Sequence, residues 1–156
     1  MNLTKAEAAQ LGRRALQPTR GPGEILAVFV PGKLRNLTNQ RWGWKGDMAY
    51  KRRWREKVAQ AILEARWRPA SKGLNGAHTV FLAHVWNPFD GDGLQAALKP
   101  VRDELVSCRV LADDKEVTTG NSFEYQQVTD RKCPGVEVRV IAPGQVPAAA
   151  TPPHRE

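Results

Sequence analysis

Four aspartates in the second half of the chain form two pairs that could support metal-dependent chemistry. Asp90 and Asp92 follow an apolar segment, and Asp113 and Asp114 stand together at the end of the loop after the next predicted helix. Glycines on either side of Asp92 allow the backbone turn that lets the first two carboxylates converge. Converging carboxylates repel one another unless a cation is present, and oxygen ligands favour Mg²⁺ or Mn²⁺ over zinc. The spacing therefore predicts a site where a metal ion activates water to hydrolyse a phosphodiester.

The same residues also have possible structural roles. Asp-x-Asp and Asp-Asp are common in turns and at helix N-caps, where the carboxylate of Asp92 would accept backbone N–H bonds. Lys99 lies on the helix face that begins at Asp92, so its ammonium could reach the carboxylates and stabilise the transition state. Alternatively, Lys99 pairs with Asp103 or Asp92 as an ordinary surface lysine. Spacing alone leaves both alternatives open.

The charge of the chain is divided unevenly between its halves. Lys and Arg number 24 against 16 Asp and Glu, a net charge of +8; residues 1–76 carry 16 against 5, or +11, and residues 77–156 carry 8 against 11, or −3. The basic half also contains four of the five tryptophans. Cations interleaved with aromatic rings favour a polyanion such as nucleic acid. A solvated basic helix face with tryptophans in the core is the alternative.

Two basic segments contain the candidate DNA-contacting residues. The segment Lys33–Asp47 has no clear period and is predicted to be an exposed loop, whereas Met48–Trp67 has apolar residues at helical spacing with cations on the opposite face. Because cations in a first helical turn oppose the helix dipole, we do not expect Arg52 and Arg53 to stabilise this helix. The candidates are Asn39, Arg41, Lys45, Lys51, Arg52 and Arg53.

The remaining pattern predicts an α+β fold, a small mixed sheet of about four strands with two main helices packed on it. Four apolar or alternating segments predict the strands: Ile25–Val30, Ala77–Trp86, Val117–Val128 and Val136–Ile141. The last two are predicted to form a hairpin. A second helix follows Asp92, with an apolar stripe that begins at Leu94; Pro100 is expected to kink this helix or to mark its true start.

The domain organisation follows from composition. With 41% hydrophobic and 26% charged residues, the chain is globular rather than disordered. We expect an N-terminal appendage at 1–22 with a short helix, one folded domain at 23–142, and a disordered Pro/Ala tail at 143–156. No run is long and apolar enough for a membrane span or a signal peptide, which predicts a cytoplasmic protein. Cys108 and Cys133 are expected to be reduced thiols.

One segment resembles a known family. The sequence DGDGLQAALKPVRDELVSCRVLADDKEV, residues 90–117, is similar to the central motif of the RusA family of Holliday junction resolvases, which has Asp-x-Asp-Asn-Leu, a lysine, Asp-x-Leu and then Asp-Asp. The order of the other segments also fits, with an early strand, an Asn-x-Arg loop at Asn39–Arg41 and a basic helix containing Tyr50 and Trp54. The resemblance covers about residues 24–141.

The resemblance implies an Mg²⁺-dependent endonuclease, often encoded by phages, that acts as a homodimer and cuts opposed strands of a four-way DNA junction symmetrically. It makes Asp90, Asp92 and Asp114 the metal-binding catalytic carboxylates, with Asp113 beside them, and Lys99 the catalytic lysine. Two positions depart from the motif: Gly93 replaces the asparagine, and the lysine is seven residues after Asp92 rather than four. A flap- or fork-selective nuclease and a non-catalytic protein that binds branched DNA are the alternative functions.

Overall fold

The computed structural model describes residues 17–37, 43–68 and 73–144, apart from the side chain of Trp44. The described elements are, in chain order, β1 Glu24–Pro31, α1 Gly43–Glu64, β2 His78–Val85, α2 Gly91–Ser107, α3 Glu116–Thr119, β3 Ser122–Thr129 and β4 Gly135–Ile141. The four predicted strands and two main helices are therefore present, which confirms the α+β class. The predicted strand that begins at Val117 is in part a helix, because α3 precedes β3.

The strands form one mixed sheet in the order β1-β4-β2-β3. Strand β4 is antiparallel to both β1 and β2, whereas β3 is parallel to β2. The predicted hairpin of the last two strands is therefore wrong. Val136, Val138 and Val140 of β4 are completely buried, as expected for a central strand with a neighbour on each side. Strand β3 has no fully buried residue, which suits an edge of the sheet.

Both long helices contribute to the same core as the sheet. Trp54, Val58 and Ile62 of α1 are buried in one hydrophobic cluster with the strand residues. The predicted stripe of α2 enters the same cluster, because its leucines and Val101 are at most 4% exposed. Pro100 lies inside α2 and is itself buried, so it does not mark the start of the helix. Packing of this apolar stripe compensates for the missing N–H of the proline.

Helix α1 begins five residues earlier than predicted, at Gly43 instead of Met48. The end of the segment predicted as a loop is therefore helical, and Arg52 and Arg53 lie in the third turn, not the first. The argument from the helix dipole consequently does not apply to them, because the dipole acts within the first and last turns.

Several predictions concern residues outside the described ranges. These are the N-terminal helix, most of the Pro/Ala tail, Asn39 and Arg41. Among the described residues, Cys108 and Cys133 are free thiols, as predicted. None of the described helices combines the length and the apolar character needed to cross a membrane.

The Tyr50 hydroxyl connects three elements of the fold. It donates to the backbone carbonyl of Ala97 in α2 at 3.2 Å and accepts from the backbone N–H of Arg35, in the loop after β1, at 3.3 Å. Burial raises the pKa of Tyr50 to about 12, so the hydroxyl remains a donor over the physiological pH range. This one group fixes the loop after β1 against α1 and α2.

The variant Tyr50→Phe is expected to lower the free energy of unfolding by about 1–2 kcal/mol, because the hydrogen bonds of the hydroxyl to the carbonyl of Ala97 and the N–H of Arg35 are lost while the ring still fills its space. Urea titration followed by circular dichroism measures this change. An unchanged free energy of unfolding would show that the hydroxyl does not hold the loop.

Candidate functional site

The first acidic pair lies at the N-terminus of α2. Asp90 is the N-cap, and its Oδ1 accepts a hydrogen bond from the backbone N–H of Gly93 at 2.7 Å. Asp92 occupies the first turn, where a negative charge interacts favourably with the helix dipole. Both aspartates are exposed to solvent. The structure therefore gives the capping role to Asp90 rather than to Asp92, and leaves both residues accessible to a ligand.

Gly93 lies where the family motif has asparagine. A Cβ atom at this position would lie 2.4 Å from Oδ1 of Asp90 and 3.5 Å from Nδ2 of Asn36. A side chain at position 93 would therefore require the Asp90 carboxylate to shift. In this chain it is Asn36, from the loop after β1, that brings an amide group to this point.

The second acidic pair is held by a buried asparagine. The Nδ2 of Asn121 donates to the backbone carbonyls of Leu74 and Asp113 at 2.9 and 3.1 Å, and its Oδ1 accepts from the N–H of Ala77 at 2.9 Å. Asn121 is completely buried. It therefore ties the loop that carries Asp113 and Asp114 to the segment before β2.

Close contact between two backbone segments also fixes the loop that carries Asp113 and Asp114. The N–H of Ala112 donates to the carbonyl of Leu74 at 3.0 Å. Beside it, Gly73 has φ +72, and a Cβ there would lie only 2.5 Å from the backbone of Leu111. Glycine is therefore required at position 73 on both steric and conformational grounds.

The two adjacent aspartates have different surroundings. Oδ1 of Asp113 accepts the N–H of Asp114 at 2.7 Å, and this bond to the backbone lowers the pKa of Asp113 below its usual value. Oδ2 of Asp114 lies 3.6 Å from Nη2 of Arg102. Arg102 also donates from Nη1 to the Tyr125 hydroxyl at 2.9 Å and lies over the ring of Phe123. Asp114 therefore lies beside α2, next to an arginine that Tyr125 and Phe123 also contact.

Lys99 takes one of the two alternatives that its spacing left open. Its Nζ lies 3.0 and 3.1 Å from the two carboxylate oxygens of Asp103, one turn further along α2. The side chain of Lys99 is 52% exposed and that of Asp103 is 36% exposed. In the described arrangement the ammonium therefore binds a neighbour on its own helix.

The predicted carboxylates do not surround a single point. Asp114 contacts Arg102, which is ten residues after Asp92 and therefore about 15 Å further along the helix axis at 1.5 Å per residue. Within the described ranges, no three His, Cys, Asp or Glu residues form a group that could hold a metal ion. The oxygen donors are of the type that Mg²⁺ prefers. As arranged, however, Asp90, Asp92 and Asp114 do not fit one ion.

A basic cavity lies between the loop after β1 and helix α1. Its volume is about 430 Å³, and it is lined by four cations: Lys33 and Arg35 from the loop after β1, and Arg53 and Lys57 from α1. Only Arg53 was a predicted DNA-contacting residue. The signal for Lys57 was its position four residues after Arg53, which places both on one helix face. No sequence pattern indicated that the loop after β1 folds against that face.

The other predicted DNA-contacting residues are distributed differently. Lys51 pairs with Asp47 at 3.0 Å on α1. Lys45 and Arg52 are exposed on the same helix. These three do not line the cavity.

Comparisons with known proteins identify no relative. A scan of the chain against models of protein families gave no match, and a search among curated proteins gave none either.

The variant Asn121→Ala is expected to lower the free energy of unfolding by about 3 kcal/mol, because the buried N–H of Ala77 loses its acceptor and the carbonyls of Leu74 and Asp113 each lose a donor. The exposed Asn75, in the neighbouring loop, is the matched control, and Asn75→Ala should change stability by less than about 0.5 kcal/mol. Chemical unfolding of both variants measures the difference. Equal effects would contradict the anchoring role of Asn121.

Proposed function

We propose that this chain is a Mg²⁺-dependent, structure-selective endonuclease that cuts four-way DNA junctions in the manner of the RusA family. The observation that carries the proposal is the contact of the basic loop after β1 with the acidic start of α2. Asn36 approaches Gly93, and the preceding residue, Arg35, lines the basic cavity. Cations that attract DNA and exposed carboxylates are therefore neighbours.

A second contact supports the same arrangement. Nζ of Lys33 lies 4.8 Å from the centre of the Trp86 ring. Trp86 is 41% exposed and stands four residues before Asp90 in the chain. A DNA backbone bound by the loop cations would consequently pass close to Asp90 and Asp92. Basic groups beside an acidic pair are the combination that phosphodiester hydrolysis requires, since cations bind the DNA while carboxylates are available for a metal ion.

The metal ion is part of the proposal, with Mn²⁺ as a substitute. It would supply an activated water and stabilise the leaving oxygen. Mg²⁺ in proteins is often bound through one or two carboxylates, with substrate phosphates and water completing its shell, so the accessible Asp90 and Asp92 have suitable donors. Asp114 would join them only after leaving Arg102 and after a shift of the loop that Asn121 anchors. One nick by each subunit of a homodimer would give the symmetric cuts that resolve a junction.

A second candidate is a non-catalytic protein that binds branched DNA, and one specific observation favours it. Asp90 caps a helix, Asp114 pairs with Arg102, and Lys99 pairs with Asp103. Three of the four proposed catalytic groups thus have a partner within the protein. This candidate predicts salt-sensitive binding of junctions without metal-dependent cleavage.

Cleavage of a labelled four-way junction with Mg²⁺, compared with EDTA, distinguishes the candidates. We expect the unmodified chain to cut, and Asp90→Asn, Asp92→Asn and Asp114→Asn each to lose about 100-fold or more in rate, because several kcal/mol of transition-state stabilisation are removed. Junction binding should be retained or tightened, since a negative charge near phosphate is lost.

Control measurements distinguish a loss of cleavage from a loss of folded protein. Asparagine caps a helix as well as aspartate does, so Asp90→Asn should have the same melting temperature as the unmodified protein. Glu56→Gln removes a negative charge from an exposed position on α1 and should cut normally. Normal cutting by the aspartate variants would overturn the assignment of the site. Binding without cutting in Mg²⁺ or Mn²⁺ would establish the non-catalytic candidate. Faster cutting of flaps or forks than of four-way junctions would show that flaps or forks are the preferred substrate.

A further inference from the structure

We infer that the basic cavity between the loop after β1 and helix α1 is a dedicated binding site for backbone phosphates of a DNA strand. The inference rests on the proposed function for its DNA partner, and it adds a site outside the carboxylates. The cavity holds about 430 Å³, which is room for a phosphate with its sugar.

The charged side chains that line the cavity are all positive. Its lining contains Lys33, Arg35, Arg53 and Lys57, and none of the described residues that line it is acidic. Four cations around one cavity favour an anion bound among them.

Helix stability does not explain these cations. Arg53 and Lys57 are four residues apart on α1, and like charges at this spacing destabilise a helix. On the same face, one and two turns earlier, the wall consists of Gly46 and Ala49. These small residues leave the space open, where longer side chains at the same positions would occupy it.

The floor of the cavity determines which part of a nucleotide it can take. Tyr50 and Trp54 form the floor, and they are only 6% and 3% exposed. Nζ of Lys57 lies 5.3 Å from the Trp54 ring centre. Because so little ring surface is accessible, a base cannot stack there, and the cations at the rim are left to bind the sugar-phosphate backbone. The hydrogen bonds of the Tyr50 hydroxyl fix this floor, so the site is formed before DNA binds.

The position of the cavity places a bound strand close to the first acidic pair. Arg35 lines it, and the next residue, Asn36, lies against the start of α2 beside Asp90. Phosphates held in the cavity would therefore place neighbouring nucleotides of the same strand near the first acidic pair. An acidic peptide could also satisfy four cations, but it would not bring a phosphodiester to the carboxylates.

The test compares adjacent arginines of α1. Arg53 lines the cavity, whereas Arg52 is exposed on the same helix and does not. Fluorescence anisotropy with a labelled four-way junction in EDTA, at several salt concentrations, measures binding without cleavage. We expect Arg53→Gln and Lys57→Gln each to weaken binding about tenfold and to reduce the salt slope by about one phosphate contact. Arg52→Gln, at an exposed position outside the cavity, should weaken binding clearly less than Arg53→Gln does, and Arg53→Lys should retain most of the affinity.

Several outcomes would overturn the inference. Equal losses for Arg52→Gln and Arg53→Gln would indicate a diffuse basic face without a specific site. Competition by poly-glutamate as strong as that by a DNA strand of equal charge, and equally sensitive to Arg53→Gln, would indicate a site for acidic peptides. Melting curves of the variants should match that of the unmodified protein, so that unfolding does not explain the loss.

The same measurements separate this inference from the proposed function. Selective loss of binding in Arg53→Gln, with no cutting by the unmodified chain, would retain the phosphate site and reject the endonuclease. Cutting that depends on Asp92, together with equal losses for the two arginine variants, would retain the endonuclease and reject the site.

Discussion

The burial of one stripe of α2 is the constraint on which the acidic segment depends. Leu94, Leu98, Val101 and Leu105 are held in the core against the sheet, and this packing fixes α2 as the crossover between the parallel strands β2 and β3. The crossover places Asp90 and Asp92 at the beginning of the helix and returns the chain to Asp114 beside its middle. A shift of this stripe would displace both acidic pairs, so the packing of the core also determines the geometry of the candidate site.

The electrostatics of the site depend on how the loop after β1 meets the helices. The Tyr50 hydroxyl joins this loop to α2, and as a result the cations of the loop face those of α1 while Asn36 faces Gly93. Opposite charges thus occur in adjacent regions without neutralising one another. A basic region that attracts phosphate and an acidic region that could hold a cation are both needed by an enzyme that cuts DNA, and within the acidic region Asp90 also caps α2.

Arg102 gives the acidic segment an arrangement that its spacing does not suggest. Its guanidinium lies between Asp114, the Tyr125 hydroxyl and the Phe123 ring. Because Phe123 and Tyr125 come from β3, the edge strand takes part in holding the second acidic pair. The RusA-like arrangement of three carboxylates around a metal therefore remains a proposal, since in this structure Asp114 has a cation from its own chain.

The sequence alone determined the local features: four strands from apolar or alternating runs, two helices from their periodicity, and the candidate residues from their chemistry. The strands and the two helices are largely where they were predicted, because periodicity is a property of neighbouring residues. Tertiary structure alone decided the strand order, with β2 and not β3 beside β4, since several pairings bury the same alternating pattern. It also decided that Asn121 holds Asp113, that Lys99 binds Asp103, and that the loop after β1 closes a basic cavity on α1. Each of these depends on contacts between residues distant in sequence or on a choice between equivalent partners, which spacing along the chain does not specify.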